Sequence, residues 1–372
     1  MKVLLISGSY PPAQCGVGDY TAHLARALSR SGEFEVSVLT SFSPAPEQSS
    51  SAPVVFRTMH TWQAQAIGEV EGLVRRLKPD IVHVQFPTQG YDDWKGVAAL
   101  ALAVRRKLRI PLVVTLHEYL PPRFVGKAFW MYLLAVAANR IVVVRPGFYE
   151  RIRRLLKPIL PQRKFEFISN ASVLPKIALS ASERDAVKRE AQCANGRLIV
   201  FFGFSFPHKG VDLLFRIADP EEHCLLFIGP VSPDDAYHDK LRQLAATGPW
   251  KGRAAFTGFI GSEQAARLLA AADAAVFPYR TGGGIWNSSL HAAMVQDTFV
   301  LTTSLERNGY DAAANAYYAR PEDVDEMRRA LRQYQGTRRA RPFTAEDEWA
   351  AIAQKHREVF GALLARSARA GG

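Results

Sequence analysis

Four stretches of this chain carry residue types whose spacing could do chemistry. From Phe277 to Thr303 it reads FPYRTGGGIWNSSLHAAMVQDTFVLTT. An apolar run ends at Pro278, Gly282, Gly283 and Gly284 follow, Asn287, Ser288 and Ser289 open a helical pattern, and a second apolar run closes the unit. In a strand, glycine loop, helix and strand of this kind, the helix N-terminus directs unpaired N–H groups and the positive end of its dipole into the loop. Phosphate is the natural occupant. Glycines allow positive φ and close backbone approach to a ligand. The alternative reading is a flexible connection followed by a capped helix. A second glycine loop, Gly203 to Gly210, also lies between a strand-like run and a helical one, and its Lys209 is placed to meet a phosphate as a point charge or to stand in solvent.

The other two stretches lie earlier. Leu112–Leu116 runs into His117-Glu118-Tyr119, and a histidine beside an acid at a strand's end is an acid/base or hydrogen-bonding pair, or a structural loop histidine. Gly16, Val17 and Gly18 follow the first apolar run, Val3–Ile6, and precede helical spacing from Val17 to Leu28. They lack the G-x-G-x-x-G pattern of a dinucleotide fingerprint.

These positions need a scaffold that gathers strand ends on one edge. Strand-like runs at Glu35–Leu39, Val54–Phe56, Ile81–Val84, Leu112–Leu116 and Ile141–Val144 alternate with helical patterns at Thr61–Leu77, Trp94–Lys107, Lys127–Ala138 and Phe148–Leu156. Such alternation predicts a parallel sheet wrapped by helices, whose carboxyl edge binds ligands. The pattern weakens between Phe165 and Ala191, where Ser182, Glu183 and Asp185 mark a helix start. A new alternation then begins at Leu198–Phe202 and runs through a helix from Val211, Leu225–Ile228, a helix around Asp239–Ala246, Ala254–Thr257 and a helix from Ser262. Two Rossmann-like α/β halves in sequence are therefore expected, and both glycine loops of the second half fall on one sheet edge. Thr344, followed by Glu346, Asp347 and Glu348, caps a last amphipathic helix with Trp349, Ile352, Ala353, Val359, Phe360 and Leu363 on its apolar side. It needs a groove, which the first domain can provide.

Bulk composition agrees with two ordered domains. The chain has 372 residues, 48% of them hydrophobic and 22% charged. A net charge of +12 draws it toward anionic substrates or surfaces. Basic clusters at Arg105-Arg106-Lys107-Arg109, Arg151 to Lys157, and Arg338-Arg339-Arg341 read as solvated helix faces. No nucleic-acid module is recognisable, and none is expected as a partner. Phe124 to Ala138 reads as a core helix, the alternative being an amphipathic surface on lipid with Arg123, Lys127 and Arg140 nearby. Cys15, Cys193 and Cys224 are odd in number and widely spaced, so neither a disulfide framework nor a zinc site is indicated, and a reducing cytosol fits. No apolar run is long enough to span a bilayer. A peripheral position at the inner membrane face is compatible with the charge.

Taken in order, PPAQCGVGDYTAHLARAL, VVTLHEY, ISNAS, FFGFSFPHKGVDLL and WAAIAQKHREVF resemble motifs of retaining glycosyltransferases of the GT-B fold, family 4, over essentially the whole chain. The resemblance implies an N-terminal acceptor-side domain over residues 1–172, a nucleotide-sugar-binding domain over 173–342, and a helix over 343–372 that crosses back to the first domain. It implies a nucleoside diphosphate sugar as donor, a glycan or lipid-linked acceptor, and neither cofactor nor metal. By the same resemblance, Gly16, Val17 and Gly18 lie near the donor phosphates and Asp19 and Tyr20 on the acceptor side. His117, with Glu118, contacts the sugar near the reacting carbon. Lys209 neutralises the leaving diphosphate, and backbone N–H groups from Asn287 to Ser289 complete the anion site.

Two departures accompany the resemblance. The family commonly carries an Arg in the Gly203–Lys209 loop, where this chain has Phe204, Ser205 and Phe206, and Arg280 is a substitute for that charge. It also commonly carries an E-x7-E pair, and Gly283 and His291 stand at those positions. His291 can still hydrogen-bond a ribose hydroxyl. A GT-B protein that binds a nucleotide, glycan or protein partner without turnover is the competing expectation.

Overall fold

The structure, a computed structural model, describes residues 1–44, 53–120, 125–156, 159–284, 286–340 and 344–370. Arg123, Phe124, Lys157, Arg341 and Phe343, which entered the sequence reading, lie outside the described residues. Internal packing divides the chain into two units: 1–169 together with 349–372, and 170–348.

The first unit is a parallel sheet with the order β3-β2-β1-β4-β5-β6-β7. Its strands are β1 (Lys2–Ile6), β2 (Glu35–Ser41), β3 (Val54–Met59), β4 (Ile81–Phe86), β5 (Leu112–Leu116), β6 (Arg140–Val143) and β7 (Phe165–Phe167). The crossovers are α1 (Gly16–Arg30), α2 (Ile67–Leu77), α3 (Trp94–Leu102), α4 (Val125–Ala137) and α5 (Phe148–Leu156). The continuous apolar strands are explained by burial on both faces, as in β4, where every residue is buried. Asp93 caps α3 by accepting from the N–H groups of Lys95 and Gly96. Ala128, Met131, Leu134 and Ala135 of α4 are buried whereas Phe129 is exposed, so one face of this helix joins the core.

Several boundaries differ from the sequence reading. The pattern assigned to Thr61–Leu77 begins as a helix only at Ile67, after a 3-10 turn at Ala64–Ala66. Gly16, Val17 and Gly18 are not a loop before the first helix; they are its first turn, with Cys15 extended at the N-cap. Gly18 is closely packed, since a Cβ there would lie 3.1 Å from the Ser9 carbonyl group, whereas at Gly16 it would meet nothing within 4 Å.

In the second unit the strand order is β10-β9-β8-β11-β12-β14-β13. The elements are α6 (Ala181–Glu190), β8 (Arg197–Phe202), α7 (Leu214–Ile217), β9 (His223–Ile228), α8 (Ala236–Ala246), β10 (Ala254–Gly258), α9 (Ser262–Ala271), β11 (Ala274–Phe277), α10 (Ser288–Val295), β12 (Val300–Thr303), β13 (Gly309–Asp311), β14 (Ala316–Ala319) and α11 (Val324–Tyr334). All pairings are parallel except β13 with β14. α6 starts two residues before the expected Ser182 position would cap it: Ser180 makes a capping box with Glu183. The helix expected from Val211 is a 3-10 turn at Val211–Leu213 followed by one turn of α7.

Cys193 and Cys224 form a disulfide, Cα to Cα 5.8 Å, where the cysteine spacing gave no indication of a disulfide framework. Spacing in sequence did not show it because Cys224 enters on β9, which pairs with β8 just after Cys193. Cys15 is free and buried.

A last helix, α12 (Ala345–Ala370), opens at Thr344, whose hydroxyl accepts from Asp347 N–H while the Asp347 carboxylate accepts from Thr344 N–H. From Trp349 onward it belongs to the first unit. Trp349 stacks on His23 and meets Tyr20 of α1 edge-on, and Phe360 packs against Phe34. Trp349, Ile352, Ala353, Val359, Phe360 and Leu363 are all buried, as the apolar pattern requires. Among the described residues no helix is long and apolar enough to cross a membrane.

Candidate functional site

In the second unit, Lys209, Gly203 and the start of α10 come together at the carboxyl edge of the sheet. Gly203 follows β8 with φ +124°, a conformation suited to glycine. A Cβ at that position would stand 3.0 Å from Ser289 Oγ and 3.6 Å from Lys209 Nζ. The two side chains therefore border the same small space. Burial pushes the Lys209 ammonium down to about 8, and among the described residues no carboxylate pairs with it; its neighbour is the Phe206 ring, 5.6 Å away. At the start of α10, Leu290 N–H donates to Asn287 O, but the N–H groups of Ser288 and Ser289 find no acceptor among the described residues. A half-buried cation and two unspent N–H donors make a site for an anion.

The Gly282–Gly284 segment is not an open cradle. Gly282 has φ +79°; a Cβ on Gly283 would lie 2.4 Å from the Tyr279 ring, and one on Gly284 2.3 Å from the Trp286 ring. Gly283 N–H donates to Thr303 O at 2.7 Å, and Gly284 N–H donates to Asn287 Oδ1 at 3.1 Å. The glycines let the loop lie flat on two aromatic rings. Tyr279 is itself buried, beside the side chains of Ser289 and Asn287.

Arg280 does not stand free. Its guanidinium donates to Asp212 Oδ1 and Oδ2 at 2.9 and 3.0 Å and pairs with Glu322, and its Nε donates to Pro207 O at 3.1 Å. Its backbone N–H donates to His208 O. Arg280 thus ties the Lys209 loop to the end of β11, while Asp212 is also held by Lys240 and the Tyr237 hydroxyl. The charge expected to replace a loop arginine is committed to two carboxylates. His291 meets Glu348, Nδ1 to Oε1 3.0 Å, and the other Glu348 oxygen accepts from Ser172 N–H at 3.1 Å. Sequence reading did not find Glu348 as a site residue, since it stands far along the chain.

In the first unit, His117 directly follows β5 and its Nε2 lies 3.0 Å from Gln85 Oε1 of β4. It is not paired with Glu118, which is exposed and whose carboxyl burial nonetheless raises. Burial, then the neighbouring His356, pushes His117 down to about 3, so it is neutral at physiological pH. Tyr20 packs edge-on against it at 4.8 Å. Asp19, in the first turn of α1, is pushed up to about 6 because burial outweighs the nearby Arg26.

Residues 15–171 match the model for Glycosyltransferase Family 4, and residues 196–335 match Glycosyl transferases group 1. No curated protein matches in sequence. Among solved structures, sucrose-phosphate synthase (tll1590) from Thermosynechococcus elongatus is similar with a TM-score of 0.72 at 14% identity, covering 98% of this chain and 100% of that one. Anabaena Alr3699/HepE in complex with UDP and glucose is similar with a TM-score of 0.69 at 16% identity, each chain covered over 100%. WaaG, a glycosyltransferase involved in lipopolysaccharide biosynthesis, gives 0.59 at 16%, covering 96% and 95%. At such identities the likeness establishes the fold, two Rossmann-like sheets of the GT-B type. With each unit matched over most of its length, the chain belongs to the glycosyltransferases, its first unit to family 4 and its second to group 1, joined as one GT-B protein.

Proposed function

We propose that this protein transfers a sugar, with retention at the anomeric carbon, from a nucleoside diphosphate sugar to a glycan or lipid-linked acceptor in cell-surface glycoconjugate synthesis. The observation that carries the reading is the Lys209 ammonium, half-buried and without a carboxylate partner among the described residues, bordering the same space as Ser289 at the start of α10. As the glycosidic bond to the diphosphate breaks, negative charge grows on the leaving phosphate. A preorganised ammonium and two N–H groups stabilise that charge more than they stabilise the intact donor. The reading gives this work to Lys209, Ser288 and Ser289 rather than to a metal. That HepE is described with UDP and glucose supports a nucleotide donor of this class. His291, held by Glu348, takes the ribose-facing role in this reading. Gly16, Val17 and Gly18 line the donor side, Asp19 and Tyr20 the acceptor side, and His117 faces the sugar. The net positive charge suits attachment to an anionic membrane face.

Calorimetry with a panel of nucleoside diphosphates, followed by transfer assays with the matching sugars, tests the proposal. Binding of one diphosphate that is lost in Lys209→Met is expected; absence of binding by all of them overturns it. A second reading, binding without turnover, is favoured by Gly283, where the Tyr279 ring leaves no room for a side-chain carboxylate. It predicts the same calorimetry with no sugar transferred.

A further inference from the structure

Near His117 the carboxyl edge of the first sheet carries two arginines that the proposed reaction leaves unused. β5 and β6 are neighbours in register, Leu116 level with Val143. The residues that follow, His117 to Tyr119 after β5 and Val144 to Gly147 after β6, therefore leave the same stretch of the edge, where such sheets bind ligands. The chain turns tightly from β6 into α5. Phe148 N–H donates to Arg145 O at 3.4 Å, Gly147 takes φ +79°, a conformation suited to glycine, and Gly147 O accepts from Arg151 N–H at 3.3 Å. One turn of helix thus brings Arg151 back toward Arg145.

Two aromatic rings seat these side chains. Arg145 Cζ lies 5.8 Å from the centroid of Phe148 and Arg151 Cζ 5.9 Å from that of Tyr119, and the two ring centroids are 6.2 Å apart. Phe148 is buried, Tyr119 and Arg145 are half-buried, and Arg151 is exposed. Burial, then the charge of Arg151, lowers the Arg145 guanidinium below the ordinary arginine value. Among the described residues no carboxylate pairs with Arg151. Glu118, next to Tyr119 in sequence, is raised by burial with no cation to lower it, so it does not neutralise the pair.

Two like charges on touching rings repel each other, and contact with a ring offsets only about 0.5–1 kcal/mol at an exposed site. An anion between them turns that repulsion into attraction. The donors indicate its chemistry. Each guanidinium presents a planar fork of N–H groups, and a carboxylate is filled by one fork. A phosphate group has more oxygens and carries up to about two negative charges near pH 7, so it can accept a fork from each arginine.

We propose that Arg145 and Arg151 form a subsite for a phosphate group of the acceptor, so that the sugar passes to a phosphorylated or diphosphate-linked saccharide at the edge that carries His117. Assignment to the acceptor rests on the glycosyl-transfer reading. The anion site itself is a property of the first unit.

Lys209→Met protein, which lacks the donor-side ammonium, is titrated calorimetrically with inorganic pyrophosphate at about physiological ionic strength. One site is expected. Arg145→Gln and Arg151→Gln, each added to Lys209→Met, should weaken it by about tenfold or more. Arg105→Gln, in a different basic cluster, should leave it unchanged. Arg151 is exposed, so Arg151→Gln keeps the test open should Arg145→Gln fail to fold. Competition separates the sources of the phosphate: displacement of pyrophosphate by geranyl diphosphate points to a lipid-linked acceptor, displacement by glucose 1-phosphate to a sugar phosphate, and either supports the subsite. No pyrophosphate binding, binding indifferent to the substitutions in folded proteins, or displacement by neither compound overturns it. Nucleoside diphosphates failing to bind the wild type would overturn the transfer reading and leave the pyrophosphate result standing.

Discussion

Among the described residues Lys209 is paired with nothing anionic, so its titration should report the ligand. A bound diphosphate stabilises the charged form and raises the pKa above its free value of about 8. Affinity should then be level below pH 8 and fall as pH rises beyond it, approaching tenfold per unit until the bound pKa is passed. Calorimetry at pH 7, 8 and 9 checks this, and the slope should vanish in Lys209→Met. Asp19 carries the opposite kind of cost. Its folded carboxyl is raised to about 6, so above that pH the protein holds an ion that the unfolded chain holds more easily. Asp19→Asn should gain about 1–3 kcal/mol at pH 7, with the gain disappearing below pH 4. Urea titrations at the two pH values measure the difference. Residue types alone pointed to Lys209 and His117, and the family resemblance to Asp19. They did not show which partners these side chains meet, because Gln85 and Glu348 arrive from sequence distances that only the folded sheet and helices close.

At the level of elements, the glycine run after β11 shows how a pattern read as ligand access can instead be packing. Gly283→Ala should cost about 1–3 kcal/mol, since its Cβ would overlap the Tyr279 ring and approach Thr302 Oγ1 to 2.9 Å. Gly16→Ala is the control: it sits in open space in the first turn of α1 and should be neutral or slightly stabilising. Denaturant midpoints separate the two. Strand and helix alternation was legible throughout the chain because buried parallel strands are continuous apolar runs. The short β13 and β14 escaped notice, since three or four residues carry too little periodicity. The helix after Lys209 was overestimated for the same reason, Val211–Ile217 being apolar enough for a helix of any length.

At the level of the whole molecule, each unit has its own limit on stability. The Cys193–Cys224 disulfide closes a loop of 31 residues, and its reduction should lower the stability of the second unit by about 3–4 kcal/mol. Thermal scans with and without dithiothreitol test that, with Cys193→Ser as the permanently open form. The first unit has an acid weakness instead. His83 and His356 are buried and neutral, so below about pH 6.5 the unfolded chain takes up protons that the native one refuses. Stability should fall by about 1.4 kcal/mol per pH unit for each of these rings.

That first unit is also discontinuous: residues 1–169 are joined by the part of α12 that follows Trp349 only after the entire second unit has intervened. Translation runs in one direction, so the sheet carrying His117 must wait on the ribosome with the faces later covered by Trp349 and Phe360 still open to water. The second unit can close around its own core as soon as Glu348 emerges, while the first cannot finish until the last helix is delivered. The order of synthesis and the order of completion are therefore reversed. Chaperones binding a nascent chain stopped before Trp349 should find their apolar surface on the half that was made first.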